Sequence, residues 1–110
     1  MYIQKHINNL RLLSAFSIKQ RKLRPCLVIS HQMGQEIILC QITSKKISPD
    51  SFTVELKKDR TQQGTLNIDS YIRANMIFTA YAQQIVKKIC VADDETYNKV
   101  IDTIVKVIKK

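Results

Sequence analysis

Arg24-Pro25-Cys26-Leu27-Val28-Ile29-Ser30 and Glu36-Ile37-Ile38-Leu39-Cys40-Gln41-Ile42, the second run closing on Thr43-Ser44, form the most informative stretch of this sequence. Both are compact apolar runs of strand length. The link between them, His31-Gln32-Met33-Gly34-Gln35, has five residues and one glycine, as a hairpin connection requires. The stretch carries a guanidinium at one strand and hydroxyls at the end of the other, within a surplus of Lys and Arg. That is equipment for gripping and cutting a phosphodiester.

Outward from this hairpin the pattern stays β. Phe52, Val54 and Leu56 alternate with Thr53, Glu55 and Lys57, the period of a half-buried strand. Pro49-Asp50 marks the turn before it. Leu10 to Phe16 is a poorly patterned first strand. After a polar turn at Gln62 to Gly64 come Leu66, Ile68 and Tyr71-Ile72, then a separate short strand at Met76 to Thr79. Ile85 to Ala92 fits either strand or helix. Asp93 is a good N-cap, with Asp94 and Glu95 in the positive first turn. Tyr97, Val100, Ile101, Ile104, Val105 and Ile108 then share one helix face. Many short strands and one amphipathic helix predict a mainly β fold, a small, strongly curved barrel with the helix packed alongside.

A chain of 110 residues has room for one core, so residues 1–110 read as a single domain. No apolar run approaches the roughly 18 residues of a membrane helix, which predicts no membrane partner. Met1 to His6 has no signal-peptide apolar stretch, so the expected compartment is the cytosol. Cys26, Cys40 and Cys90 lack zinc or redox spacing and read as buried thiols. No metal cluster or cofactor motif is expected. Eighteen Lys and Arg against nine Asp and Glu leave a net charge of +9, which favours a polyanionic partner. The cations cluster at strand ends: Lys19, Arg21, Lys22 and Arg24, then Lys45 and Lys46, then Lys57, Lys58 and Arg60.

Arg24-Pro25 before the run Cys26 to Ser30, with Ile42-Thr43-Ser44 at the matching distance, resembles the PemK/MazF-like toxins of type II toxin–antitoxin systems. Gly64-Thr65-Leu66, Asp69-Ser70-Tyr71-Ile72, Phe78-Thr79 and Val86-Lys87-Lys88-Ile89 are similar to that family's later strands. The resemblance spans roughly residues 20 to 108. It implies an SH3-like barrel that pairs as a homodimer. It also implies metal-independent, sequence-selective endoribonuclease activity on single-stranded RNA, and a cognate acidic antitoxin as partner.

Carried over by position, the resemblance makes Arg24 and Thr43 the catalytic pair. Arg24 can donate two hydrogen bonds to the phosphoryl oxygens as charge builds on them. Thr43 can hold the phosphate or the 2′-hydroxyl in line. Arg21, Lys22, Ser44, Lys45 and Lys46 would bind the flanking RNA. Tyr71 and Phe78 are candidates for stacking a splayed base, with core packing the competing role for Phe78. His31 reads as a solvated loop histidine, and His6 lies near the terminus. The loop Ser17 to Leu23 contains no carboxylate, which leaves the general base unassigned. Two other readings therefore stand: a member of the fold that binds RNA or an acidic partner without cutting, and a gyrase-targeting toxin. A gyrase poison would act through its C-terminus, and Lys109-Lys110 offers no aromatic anchor for that.

Overall fold

The apolar alternation is realised as one curled sheet. A computed structural model describes residues 12–18, 22–46 and 48–109. Its strands are β1 (Leu12–Ile18), β2 (Lys22–Val28), β3 (Glu36–Thr43), β4 (Thr53–Leu56), β5 (Thr61–Gln62), β6 (Ser70–Tyr81) and β7 (Ile85–Ala92). A 3-10 turn (Ala82–Gln84) joins β6 to β7, and an α-helix, α1 (Asp94–Lys109), follows. All pairings are antiparallel, in the order β4-β6-β3-β2-β1-β7-β5.

Because successive side chains point to opposite faces, each central strand feeds two cores. Leu27, Cys40, Ile42, Val54, Leu56, Ile72 and Cys90 meet Val100 and Ile104 of α1 on one face. Cys26, Val28, Ile37, Leu39, Ala80, Ile85 and Val91 cluster on the other. Leu27, Ile37, Leu39, Leu56, Ile72 and Ile85 are fully buried. Each contributes about 2 kcal/mol by leaving water.

The expected strands are present, with corrections. Tyr71-Ile72 and Met76 to Thr79 belong to one twelve-residue strand, β6. Ile85 to Ala92 is strand. Phe52 is exposed rather than inward, because Asp50 Oδ1 accepts the amide protons of both Phe52 and Thr53 and delays the strand to Thr53. The N-cap is as expected: Asp93 Oδ1 accepts the Thr96 N–H at 2.9 Å. Val105 and Ile108, however, are 45% and 66% exposed. The helix lies on β4 and β6, and residues 105–109 of its last turns are exposed. Of the Leu10 to Phe16 candidate, residues 10 and 11 lie outside the described residues, as do His6, Lys19 and Arg21.

Mainly β architecture with one C-terminal helix holds, but no closed barrel is found among the described residues. β4 and β5 end the ladder without pairing to each other. They are nevertheless neighbours in sequence, joined by residues 57–60, a link of at most about 18 Å when fully extended. The sheet therefore rolls until its edges approach. Closure fails because β5 is only two residues long, and Gln63 and Gly64, at φ 52° and 146°, turn the chain away. No helix of the described residues is long and apolar enough to cross a membrane.

Gly64 is required twice over, by its φ and by its contact with β7. A Cβ there would collide with the Ile89 carbonyl oxygen. Gly34, at φ 64°, faces open space. Gly64→Ala should therefore cost about 2 kcal/mol or more and Gly34→Ala about 1 kcal/mol. Thermal melts of the two variants compare these costs directly, and equal losses would contradict the close approach of Gly64 to β7.

Candidate active site

Two strands position the expected catalytic pair. The last facing pair between β2 and β3 is Cys26 with Gln41. Arg24 stands two residues beyond Cys26, and Thr43 two residues beyond Gln41 in the same direction, since the strands are antiparallel. The period of two puts both on the face opposite the α1 core. Pro25, between Arg24 and Cys26, has no N–H to extend the ladder. Thr43 is half-buried and Arg24 exposed.

Thr43 Oγ1 accepts the Lys45 N–H at 3.1 Å, a turn that orients the hydroxyl. Its own proton remains available to donate. Ser44, Lys45 and Lys46 follow on the exposed loop. Lys22 opens β2, whereas Arg21 falls outside the described residues. His31 is exposed, as expected of a loop histidine.

Arg24 lines a cavity of about 470 Å³ with Pro25, Cys26, Gln41 and the segment Asn75 to Phe78. This cavity exists because the pairing of β3 with β6 slips. Cys40 lies opposite Ile77, yet Gln41 lies opposite Arg73, so Ala74, Asn75 and Met76 arch out of that ladder. Ala74 N–H turns instead to the Phe52 carbonyl, at 2.8 Å. The Cys40 thiol donates to the Arg73 carbonyl at 3.0 Å. Met76 and Ile77 are left exposed at the rim, and Phe78 is half-buried against the second core. Thr43 does not line this cavity; it sits two residues along β3 from its Gln41 wall.

Beyond Thr43 the register continues across the sheet. Thr43 faces Tyr71, and Gln41 faces Arg73, each on β6. Arg73 is thus a second guanidinium on the face that carries Arg24. Its Nε is buried with no hydrogen-bond partner among the described residues. Sequence reasoning singled out neither Arg73 nor Gln41, because cross-strand neighbours are set by a bulge that no local pattern announces. Among the described residues no group of three or more His, Cys, Asp or Glu side chains is placed to hold a metal ion. What the face offers is guanidinium, hydroxyl and amide groups around a concavity, suited to an anion in an extended chain.

Comparison with known proteins identifies a family. The model of the "PemK-like, MazF-like toxin of type II toxin-antitoxin system" matches residues 6–108. The comparison with curated protein sequences returns no match. Among solved structures, the chain resembles an endoribonuclease in complex with its cognate antitoxin from Mycobacterial species (TM-score 0.70, 12% identity, 90% of this chain and 92% of that one). It also resembles Mycobacterium tuberculosis toxin MazF-mt6 (0.73, 14%, 90% and 97%). A third is the MazE-MazF complex (Form-I) from Deinococcus radiodurans (0.73, 16%, 94% and 98%). At these identities the structural likeness concerns the fold.

Although Cys26 lines the Arg24 cavity, burial pushes its thiol, like that of Cys40, up to about 12. Both thiols stay protonated in the folded chain and ionise near 9.0 once it unfolds. Stability should thus be intact below pH 9 and fall as pH climbs from about 9 toward about 12. A thiol reagent at pH 8 should leave both unmodified until denaturant is added. Rapid labelling of Cys26 in the native protein would show the cavity to be open to its floor.

Proposed function

The chain belongs to the PemK-like, MazF-like family of type II toxins, and on that premise we propose that it is a metal-independent endoribonuclease cutting single-stranded RNA at the Arg24–Thr43 face. The observation that carries this is the placement of Arg24 and Thr43, two residues past one cross-strand pair and on one face of the sheet. In the reaction, the ribose 2′-oxygen bonds to phosphorus as the bond to the 5′-oxygen breaks. The products are a 2′,3′-cyclic phosphate and a 5′-hydroxyl.

Arg24 stabilises the charge that develops on the phosphoryl oxygens, by several kcal/mol for a preorganised donor pair. The Thr43 hydroxyl, oriented by Lys45 N–H, donates to the phosphate and holds it in line. Arg73, Ser44, Lys45 and Lys46 take neighbouring phosphates, and the same role is proposed for Arg21 and Lys22. The loop 17–23 has no carboxylate, and the general base is left unassigned. A non-cutting, RNA-holding member of the fold is the second reading, and that loop is the observation in its favour.

A cognate acidic antitoxin would cover this basic face; the similar mycobacterial endoribonuclease is itself in complex with its cognate antitoxin. A second copy of the chain would cover apolar surface that so small a fold leaves exposed, such as Leu23. Light scattering at micromolar concentration should therefore report twice the mass of the 12.7 kDa chain. A strict monomer would remove the dimer from this reading.

The activity is tested with a long unstructured RNA in EDTA and mapping of the ends. Discrete cuts carrying cyclic phosphates are expected. Arg24→Ala should lose about 10²- to 10³-fold in rate with an unchanged melting temperature. Thr43→Val should lose less. Normal cutting by Arg24→Ala would take Arg24 out of the mechanism.

A further inference from the structure

The polar row that begins at Thr43 continues past the expected catalytic pair. Tyr71 on β6 faces Thr43 on one side and Glu55 of β4 on the other. The buried residues between these rows, Ile42, Ile72 and Val54, all belong to the α1 core. Thr43, Tyr71 and Glu55 therefore share the opposite face with Arg24. Neighbouring strands lie about 4.8 Å apart, so Glu55 is roughly 10 Å from Thr43 along the row. That is beyond the reach of a phosphate held at Thr43 and within reach of the adjoining nucleoside.

Tyr71 and Glu55 line a concavity of about 460 Å³ with Lys46, Ser48, Asp50 and Thr53. Two carboxylates border it, and they differ in what they have left to offer. Asp50 is consumed by its turn: Oδ1 accepts from Phe52 and Thr53 N–H, and Oδ2 from the Thr53 hydroxyl. Those bonds, led by the one from Phe52, hold its carboxyl below the ordinary value. Glu55 has no hydrogen bond or ion pair with any described residue, and neither has the Tyr71 hydroxyl or the Lys46 ammonium. Glu55 also borders a groove toward Lys57 and Lys99 and pairs with neither.

An exposed, unpaired carboxylate on a face that holds a polyanion weakens phosphate binding. Its chemistry suits a group that donates. We infer that Glu55 and Tyr71 form a base-reading subsite that takes a guanine beside the scissile phosphate; this rests on the endoribonuclease reading above. An ionised carboxylate only accepts, through two oxygens. Guanine alone sets two donors, N1–H and N2–H, side by side on its Watson–Crick edge. Adenine and cytosine present one amino donor each beside an acceptor. Uracil presents one donor between two carbonyls, which the carboxylate repels, so the site selects by rejection as well as by attraction. The Tyr71 ring supplies a stacking surface for the splayed base. Lys46 pairs with the adjoining phosphate and offsets the charge of Glu55.

Wild-type, Glu55→Gln and Arg24→Ala proteins are compared on the same long RNA with all ends mapped. Because Glu55 is exposed, the Gln variant keeps the fold, which circular dichroism checks. The wild type is expected to require guanine at one fixed position next to the cut. Glu55→Gln should lower cleavage of that word by roughly tenfold or more and admit other bases there. Arg24→Ala should silence every word alike. A word without guanine, or an unchanged word in Glu55→Gln, overturns the subsite and leaves the ribonuclease reading standing. If the wild type cuts nothing, that reading fails instead, and binding decides the subsite. A randomised RNA pool selected on Arg24→Ala would be enriched in guanine, with the enrichment lost in Arg24→Ala/Glu55→Gln. The same sequences on both proteins would overturn it.

Discussion

Between Cys40 and Gln41 the ladder of β3 and β6 slips past Ala74, Asn75 and Met76, and the rest of the molecule is organised around that slip. It lets one long strand serve two neighbours. Above the slip β6 pairs with β3 alone, and below it lies between β3 and β4. The backbone groups taken out of the ladder are not abandoned, which would be costly in a buried position. Ala74 N–H finds Phe52, and the Arg73 carbonyl finds the Cys40 thiol. The arch forms one wall of the Arg24 cavity. The register below it sets Tyr71 and Arg73 beside Thr43 and Gln41. A cysteine that reads as packing in the sequence thus helps anchor the face on which the proposed chemistry takes place.

Charge is distributed by a similar division of labour. Of the nine acidic residues, several serve local structure. Asp50 ties the turn into β4, and Asp69 accepts the Lys58 N–H. Asp93 and Glu95 bind Arg60 and so clamp the start of α1 to the turn after β4. At the exposed Arg60 these ion pairs are worth little individually. They leave Arg24, Lys45 and Lys46 without an ion pair among the described residues.

The sequence made legible whatever depends on short-range pattern. The alternation at Val54 and Leu56, the hairpin around Gly34 and the cap at Asp93 all follow from residues within a few positions of one another. Arg24 and Thr43 were proposed as a pair only through a resemblance, because which residues face each other is a matter of strand pairing. The failures share a cause. Phe52 fits the alternation but is diverted by Asp50. Val105 and Ile108 fit the helical stripe but extend past the surface the helix covers. The expected barrel fails at β5, where Gln63 and Gly64 stop the strand after two residues. Glu55 was visible as an outward residue of a strand, but its place in a row with Tyr71 and Thr43 required the slip to be known.

The central claim is that RNA lies across β2, β3, β6 and β4 on the face turned away from α1. The most direct measurement is a nuclear magnetic resonance titration of the labelled protein with an RNA made uncleavable by 2′-deoxy substitution. Shifts confined to Arg24, Gln41, Thr43, Lys46, Tyr71 and the arch from Asn75 to Phe78 are expected. Shifts gathered instead on the last turns of α1, at Lys106 and Lys109, would contradict the claim and move the functional surface to the helix.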